Sequence, residues 1–141
     1  PGIQYHTAVN RFCAQAVARQ PLEIWRTAID QYRPYLDVGD AARAIRLVVT
    51  NGHFDGRVYN VATINATVRH VVETLSRYVP GVGMACVDSP HMNGHSYSAD
   101  TSRIRQLGFA GTGSLAQGIR ETLAQLAAGD APTVSEGGGR R

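Results

Sequence analysis

Arginine 33 stands in a sequence setting that suits the binding of a negatively charged ligand. It precedes Pro34 and an apolar stretch that begins at Tyr35, and Trp25 and Tyr32 lie close by in the sequence. A guanidinium at the end of short strands can bind a diphosphate at two points while aromatic groups cover a base or sugar. The pattern suggests an anion site, with a simple solvated charge as the alternative.

Two histidines four residues apart, His91 and His95, have the spacing that lets a helix direct both side chains at one metal ion. Asp88 is a candidate third ligand. A flanking proline and a glycine disfavour a helix there, however, so a metal site is not expected. Cys86 and His91 as nucleophile and base are also disfavoured, because nothing in the sequence orients the pair. An autonomous enzyme built on His91 to His95 is therefore the weakest hypothesis.

The glycine-rich stretch GFAGTGS, residues 108–114, has the composition of a dinucleotide-binding turn. Such a turn needs a strand before it and a helix after it within a βαβ unit. Here a helix is predicted before it, and little chain follows. We interpret the stretch as a helix end with a linker, so this chain is not expected to bind a dinucleotide by itself.

Composition favours one globular domain. The 141 residues are 43% hydrophobic and 18% charged, and no apolar run approaches the roughly 18 residues of a membrane span. The net charge of +3 is spread along the chain, so nucleic acid is not an expected partner. No export leader is visible at Pro1, and the expected location is the cytoplasm. Cys13 and Cys86 are predicted to be buried free thiols.

All 14 basic residues are arginine, and the sequence contains no lysine. A mechanism that requires a lysine therefore cannot be completed by this chain alone.

Helical and extended patterns alternate along the chain. An amphipathic helix is predicted from Thr7 to Arg19, followed by strands at Leu22–Arg26 and Tyr35–Val38. Asp40 is predicted to cap a helix that carries Ala44, Ile45, Leu47 and Val48 on one face and ends at Asn51 and Gly52.

The second half continues the alternation. A strand is predicted at Arg57–Val61, then a helix from about Asn65 whose stripe is Val68, Val71, Val72, Leu75 and Val79. A strand at Met84–Val87 precedes a short helix from Asp100 to Gly108. A last helix is predicted from Ser114 to Gly129, with the stripe Leu115, Ile119, Leu123 and Leu126.

This order predicts an α/β fold with a small, mostly parallel sheet and flanking helices. Residues 1–6 are expected to be a leader or truncated linker, residues 7–128 the α/β domain, and residues 129–141 a disordered tail.

Six motifs occur in a fixed order from about Thr7 to Ala127: VNRFCAQAVARQ, PLEIWR, RPYLDVGDAARAI, VYNV, ADTSRIRQLGF and SLAQGIRETL. Together they resemble the C-terminal, substrate-binding half of the NAD-dependent nucleotide-sugar epimerases and dehydratases, which are extended short-chain dehydrogenase/reductases. The resemblance implies that Arg33 and Asn10 bind the diphosphate and that the backbone near Glu23 and Trp25 lies along the nucleobase. Many relatives carry a second arginine where this chain has His91, a weaker and pH-dependent partner for phosphate.

The resemblance also implies what this chain lacks. The family's glycine-rich NAD turn and its catalytic Tyr-x-x-x-Lys pair belong to an N-terminal half that is not in this sequence. The chain is therefore expected to recognise a nucleotide-diphosphate sugar, to bind no NAD alone and not to be catalytic alone, as a fragment or truncated product. The alternative is a non-catalytic binding or assembly module that exposes an apolar face and dimerises or pairs with a separate partner chain.

Overall fold

A computed structural model describes residues 7–88 and 95–129. The predicted leader, His91 and the predicted tail beyond residue 129 lie outside these ranges. Helices and strands alternate within them, in the order α1 (Ala8–Val17), β1 (Leu22–Trp25), β2 (Tyr32–Tyr35), α2 (Val38–Thr50), β3 (Ile64–Thr67), α3 (Val68–Ser76), β4 (Met84–Val87), α4 (Ser102–Gln106) and α5 (Leu115–Ala127). None of these helices is long and apolar enough to cross a membrane.

The strands form two small sheets. β1 and β4 pair in parallel, with Leu22 opposite Met84, whereas β2 and β3 pair antiparallel, with Arg33 opposite Ala66. The α/β class is confirmed, with a short parallel sheet and flanking helices. The expectation of mostly parallel pairing is wrong for the second sheet, because β3 approaches β2 from the opposite direction.

The core lies between helices α1, α3 and α5 and strand β1. Four of the five residues of the predicted stripe of α3 are buried, and Val71 and Leu75 are fully so, facing Ile119 of α5. The fifth, Val79, is partly buried and lies beyond the helix, which ends at Ser76. Full burial of such a side chain contributes about 1.5–3 kcal/mol, so these residues dominate the stability of the fold. The cluster consists of Phe12, Cys13, Ala16, Leu22, Ile24, Val68, Val71, Val72, Leu75, Ile119 and Leu126.

Four helices begin directly after a side chain that accepts a backbone hydrogen bond from the first turn. These capping residues are Thr7, Asp37, Thr67 and Ser114. The prediction that Asp40 caps α2 is wrong, because the side chain of Asp37 accepts the N–H of Asp40 at 3.1 Å. Asp40 instead lies inside the first turn of α2 and is buried.

Two predicted strands are misplaced. The strand predicted at Tyr35–Val38 is Tyr32–Tyr35, because the chain already turns into the cap of α2 at Asp37. The strand predicted at Arg57–Val61 is not formed, since no strand of the described chain pairs with this stretch and Val58 is exposed. Its contacts are single hydrogen bonds to side chains or loops, such as that from Nη1 of Arg103 to the carbonyl of Val58 at 3.4 Å. The third strand is Ile64–Thr67, at the point where the start of a helix was predicted.

The two cysteines differ in burial. Cys13 is buried in α1, as predicted, and burial raises the pKa of its thiol to about 12. The prediction that Cys86 is also buried is wrong, because it lies on the outer face of β4, which has no covering layer in the described chain. The single face predicted for Ala44, Ile45, Leu47 and Val48 on α2 is wrong for Ile45, which is 66% exposed whereas Ala44 is buried.

Candidate functional site

Arg33 is held in β2 by three neighbours. Its Nη1 donates to the carbonyl of Tyr32 at 2.8 Å, and its Nη2 donates to Oε1 of Gln31 at 2.6 Å. The guanidinium carbon lies 4.8 Å from the centre of the Tyr97 ring. None of the ion pairs within residues 7–88 and 95–129 involves Arg33. A guanidinium has five N–H donors, so a positioned cation keeps donors for an anion.

Tyr97 reaches Arg33 because residues 96–99 run along the β2 and β3 sheet. The N–H of Tyr97 donates to the carbonyl of Tyr32 at 3.2 Å, and the N–H of Tyr32 donates to Oγ of Ser96 at 2.9 Å. The Asn65 side chain bonds both backbone groups of Ala99, at 2.9 and 3.1 Å. Sequence reasoning missed Tyr97, because no periodic pattern connects residues so far apart in the chain.

Strand β1 has one paired edge and one outer edge. The N–H groups of Leu22 and Arg26 donate to carbonyls in and beside β4, so alternate residues of β1 face β4. The N–H and C=O of Glu23 therefore point to the outer edge. There Gln15 Oε1 accepts the N–H at 3.3 Å, and Arg11 Nη2 donates to the C=O at 3.2 Å.

Trp25, the second predicted nucleobase neighbour, contacts the same arginine. The guanidinium carbon of Arg11 lies 5.2 Å from the centre of the Trp25 ring and 5.5 Å from that of Phe12. Cation–π contacts of this kind contribute about 0.5–1 kcal/mol each. Arg11 was not predicted as a site residue, and only the packing of α1 on β1 brings it to Glu23 and Trp25.

Of the remaining predicted site residues, Asn10 lies within the described chain and His91 does not. Asn10 is half-buried in the first turn of α1, and its N–H donates to Oγ1 of Thr7 at 3.4 Å. His91 lies outside the described residues, and His95 is exposed. The described ranges contain no group of three His, Cys, Asp or Glu side chains that could hold a metal ion. The structure joins Arg11, Glu23 and Trp25 at one edge and Arg33 with Tyr97 at another.

The glycine-rich stretch 108–114 joins α4 to α5, so a helix and not a strand precedes it. The N–H groups of Thr112 and Gly113 donate to Oδ1 of Asp40 at 2.9 and 3.2 Å. A dinucleotide turn presents such N–H groups to phosphate. Here they bind a buried carboxylate, in agreement with the interpretation of this stretch as a linker.

The Asp40 carboxylate accepts further hydrogen bonds. The hydroxyl of Thr63 donates to Oδ2 at 2.6 Å, and the guanidinium of Arg43 donates to Oδ1. Burial by itself raises the pKa of Asp40, but the hydrogen bonds from Thr63, Arg43, Thr112 and Gly113 outweigh it and hold the pKa well below its usual range. A cavity of about 320 Å³ adjoins this junction.

Comparison with known proteins agrees with the motif series. A sequence model of the NAD dependent epimerase/dehydratase family matches residues 1–62. The chain is 30% identical over 115 residues, 74% of its length, to the chloroplastic UDP-sulfoquinovose synthase of Spinacia oleracea, of which it covers 23%.

Solved structures share the fold. A UDP-glucuronic acid 4-epimerase from Bacillus cereus, in complex with UDP-glucuronic acid and NAD, has a TM-score of 0.74 and 21% identity over 89% of this chain and 43% of its own. A GalE-like L-threonine dehydrogenase from Cupriavidus necator has a TM-score of 0.71 and 20% identity over 89% of this chain and 43% of its own. The chain thus spans less than half of each relative. The family match and the fold together support a relationship to the NAD-dependent epimerases and dehydratases.

Proposed function

We propose that this chain is the nucleotide-sugar-binding, C-terminal part of an NAD-dependent epimerase or dehydratase, in which Arg33 binds the diphosphate. The observation that carries this proposal is the setting of Arg33. Gln31, Tyr32 and Tyr97 fix its guanidinium, and no carboxylate of the described chain neutralises it. A positioned guanidinium that keeps free donors suits the two-point binding of a diphosphate.

The other predicted residues complete the proposed site. The side chain of Asn10 joins Arg33 at the diphosphate, and the backbone of Glu23 and Trp25 lies along the nucleobase. His91 is a further phosphate contact, which is charged only when the imidazole is protonated. The outer edge of β1 supports this arrangement, because Glu23 presents a backbone donor and acceptor side by side there.

The proposed role is recognition and positioning of the substrate. The sequence contains no lysine, so the family's Tyr-x-x-x-Lys pair cannot be formed by these residues. In the family, NAD supplies the hydride transfer when bound. The described part of this chain offers no strand–glycine turn–helix unit for it, and we assign no catalytic residue.

The fold by itself does not select a nucleotide sugar, since an L-threonine dehydrogenase shares it. An amino-acid substrate has no diphosphate, but its carboxylate can also pair with a guanidinium, so the two substrate classes have to be compared directly. Calorimetric titration of the 141-residue chain with UDP-sugars, dTDP-sugars and L-threonine therefore tests the proposal. We expect weak binding of the nucleotide sugars and none of L-threonine.

Arg33→Ala is the informative variant. Loss of charge-assisted hydrogen bonds worth about 1.5–3 kcal/mol should weaken nucleotide-sugar binding at least about tenfold. The exposed Arg46 of α2 provides the matched control, and Arg46→Ala should leave the affinity unchanged. Failure of the intact chain to bind either sugar class contradicts the proposal.

An assembly module is the second candidate function, and a specific surface favours it. Apolar side chains on α2 and on the segment after it are exposed by 57–85%, far more than a solvated helix face requires. Val38, Ile45 and Val49 lie on one face of α2, and we name this face the α2 apolar surface. Phe54 and Val58 follow in the next segment and are exposed as well. The neighbouring stretch 57–61 pairs with no strand of the described chain, although side chains bond the carbonyl of Val58 and the N–H of Arg57.

Sedimentation velocity at several protein concentrations tests this candidate. If the α2 apolar surface binds a second copy, Ile45→Lys should shift the chain to monomer, whereas Val17→Lys on α1 should not. At low concentrations, where the wild-type chain is monomeric, binding of a dye that detects exposed apolar surface should fall with Ile45→Lys and not with Val17→Lys. If the chain is monomeric at every concentration and does not bind the dye, the assembly-module function is contradicted.

A further inference from the structure

The cavity beside Asp40 is separate from the settings of Arg33 and Glu23. Its volume of about 320 Å³ is that of a site for a small molecule. Its walls come from α2, the stretch before β3, α4 and the glycine-rich linker. None of the residues that contact Arg33 or Glu23 lines it. A ligand in this cavity is therefore a different ligand from the proposed nucleotide sugar.

The Asp40 carboxylate itself is closed to such a ligand. Arg43, Thr63 and the 112–113 backbone donate to its two oxygens. The linker also lies close, since a Cβ on Gly111 would be 3.0 Å from Oδ2 of Asp40. Recognition in this cavity must therefore come from the other polar side chains in its wall.

Thr101 and Arg105 supply those side chains. The N–H of Arg105 donates to the carbonyl of Thr101 at 3.2 Å, so the two residues lie one helical turn apart and both face the cavity. The side chain of Thr101 makes no capping hydrogen bond, and none of the ion pairs within residues 7–88 and 95–129 involves Arg105. A hydroxyl and a guanidinium can thus donate to one anion.

Phe109 forms an apolar part of the same wall, and the end of α4 fixes its position. The N–H of Phe109 donates to the carbonyl of Ile104 at 3.2 Å, and the N–H of Gly108 donates to that of Arg105 at 2.9 Å. With the φ of +89° at Gly108, these bonds form a Schellman motif. Ile104 is 1% exposed and anchors the turn in the interior. The aromatic ring is therefore positioned to cover the organic part of a ligand.

A second cation lies in the neighbouring cavity, which shares Phe109 with the first and is lined by Arg43 and Arg46. Arg43 is paired with Asp40, whereas none of the ion pairs of the described ranges involves Arg46. Arg46 and Arg105 thus place two unbalanced positive charges around one aromatic side chain. Two such charges favour a dianion over a monoanion, because the attraction grows with the charge of the ligand.

We propose that the cavity beside Asp40 binds a small phosphate monoester, with Arg105 and Thr101 as the contacts of the phosphate and Phe109 beside the organic group. The guanidinium binds two phosphate oxygens side by side, and the hydroxyl donates to a third. Arg46 adds attraction from the neighbouring cavity. The chain would then carry a second ligand site, independent of the diphosphate contact at Arg33.

Phenyl phosphate and benzoate are matched probes for this site, because at about pH 8 they carry the same ring with close to two and one negative charges. Calorimetric titration uses the Arg33→Gln form of the 141-residue chain, so that the proposed diphosphate contact does not contribute. We expect phenyl phosphate to bind at least about tenfold more tightly than benzoate, since it engages both cations and the hydroxyl.

Variants of the cavity wall identify the contacts. Arg105→Gln should weaken phenyl phosphate binding at least about tenfold, the loss expected for a charge-assisted contact. The exposed Arg120→Gln on α5 is the matched control and should leave the affinity unchanged. Thr101→Val and Arg46→Gln should each weaken binding by a smaller factor. Thr101→Val removes no capping bond, so α4 should stay folded.

Three results would each overturn the proposal: no binding of phenyl phosphate, equal binding of benzoate, or an affinity that neither Arg105→Gln nor Thr101→Val changes. Titration of the unsubstituted chain with UDP-sugars separates this outcome from the proposed function. If the UDP-sugars bind while phenyl phosphate does not, only the second site is contradicted. If phenyl phosphate binds and no nucleotide sugar does, only the proposed function is contradicted.

Discussion

The junction around Asp40 and the strand edges that carry Arg11 and Arg33 use polar groups in opposite ways. Asp40 is 1% exposed, and donors from Thr63, Arg43 and the 112–113 backbone satisfy its two oxygens. Arg11 keeps an unpaired Nε, and Arg33 has no carboxylate partner in the described chain. The first region is closed and stabilises the fold, whereas the second keeps a donor that no acceptor in the described chain uses and a cation without a carboxylate partner there.

Asp40→Ala should have the largest effect on stability. It leaves the hydroxyl, the guanidinium and two backbone N–H groups without their acceptor, and removal of one partner from a buried charged network costs about 3–5 kcal/mol. Urea unfolding measures this loss. Asp55→Ala is the control, because its carboxylate is exposed and its loss should change the urea midpoint little. Similar effects of the two variants would show that the Asp40 junction is not a closed network.

The pH dependence of stability should report the same carboxylate. Its pKa in the folded chain lies below the unfolded value of about 3.9, so the stabilisation is fully present above about pH 4. It is lost progressively as the pH falls below that value towards the folded pKa. Urea midpoints from pH 7 to pH 3 should fall more steeply for the wild-type chain than for Asp40→Asn. Other carboxyls with lowered pKa values, such as Asp30, are present in both proteins and cancel in the comparison.

Gly113→Ala tests how tightly the junction is packed. A Cβ at this position would lie 2.6 Å from Cβ of Asp37, so the linker or the cap of α2 must shift. Overpacking of this kind costs about 1–3 kcal/mol. Gly118→Ala in α5 is the matched control: nothing lies within 4 Å of the added Cβ, and alanine should stabilise the helix by about 0.5–1 kcal/mol. Changes of the same sign in both variants would contradict this account of the junction.

Arg33→Gln should show the reverse pattern to Asp40→Ala. It removes a charge that no described carboxylate balances, so the free energy of unfolding should change by less than about 1 kcal/mol. Nucleotide-diphosphate affinity should fall at least about tenfold, the counterpart of about 1.4 kcal/mol. Thermal melting and calorimetry on the same sample measure both quantities. A large loss of stability with unchanged affinity would assign Arg33 to the fold and not to a ligand.

The two thiols offer the smallest and simplest contrast. Cys86 is exposed, while burial raises the pKa of Cys13 to about 12. An aromatic disulfide reagent should therefore titrate one thiol per native chain, and two after denaturation. Cys86→Ser should abolish the native reaction. Rapid native reaction of Cys13 would mean that the packing of α1 opens readily.

The sequence predicted the helices better than the strands. Most of the stripe of α3, the C-terminal end of α2 and both ends of α5 depend on local periodicity and capping residues, and they lie where predicted. The strand predicted at Arg57–Val61 failed because a strand forms only with a partner, and no local pattern supplies one. Asp37 and Asp40 are both acidic residues near a helix start, so only the geometry distinguishes the cap from the buried acceptor.

The sequence by itself determined the α/β class, the amphipathic helices, the lack of lysine and the motif series that brings Arg33, Asn10, Glu23 and Trp25 into consideration. These features depend on residue type and on short spacings. Only the tertiary structure decided that Tyr97 covers Arg33, that Arg11 bonds the edge of β1, and that the glycine-rich linker binds Asp40. Those contacts join residues 12 to 73 positions apart, and a chain's local pattern does not encode which distant groups will meet when the core closes.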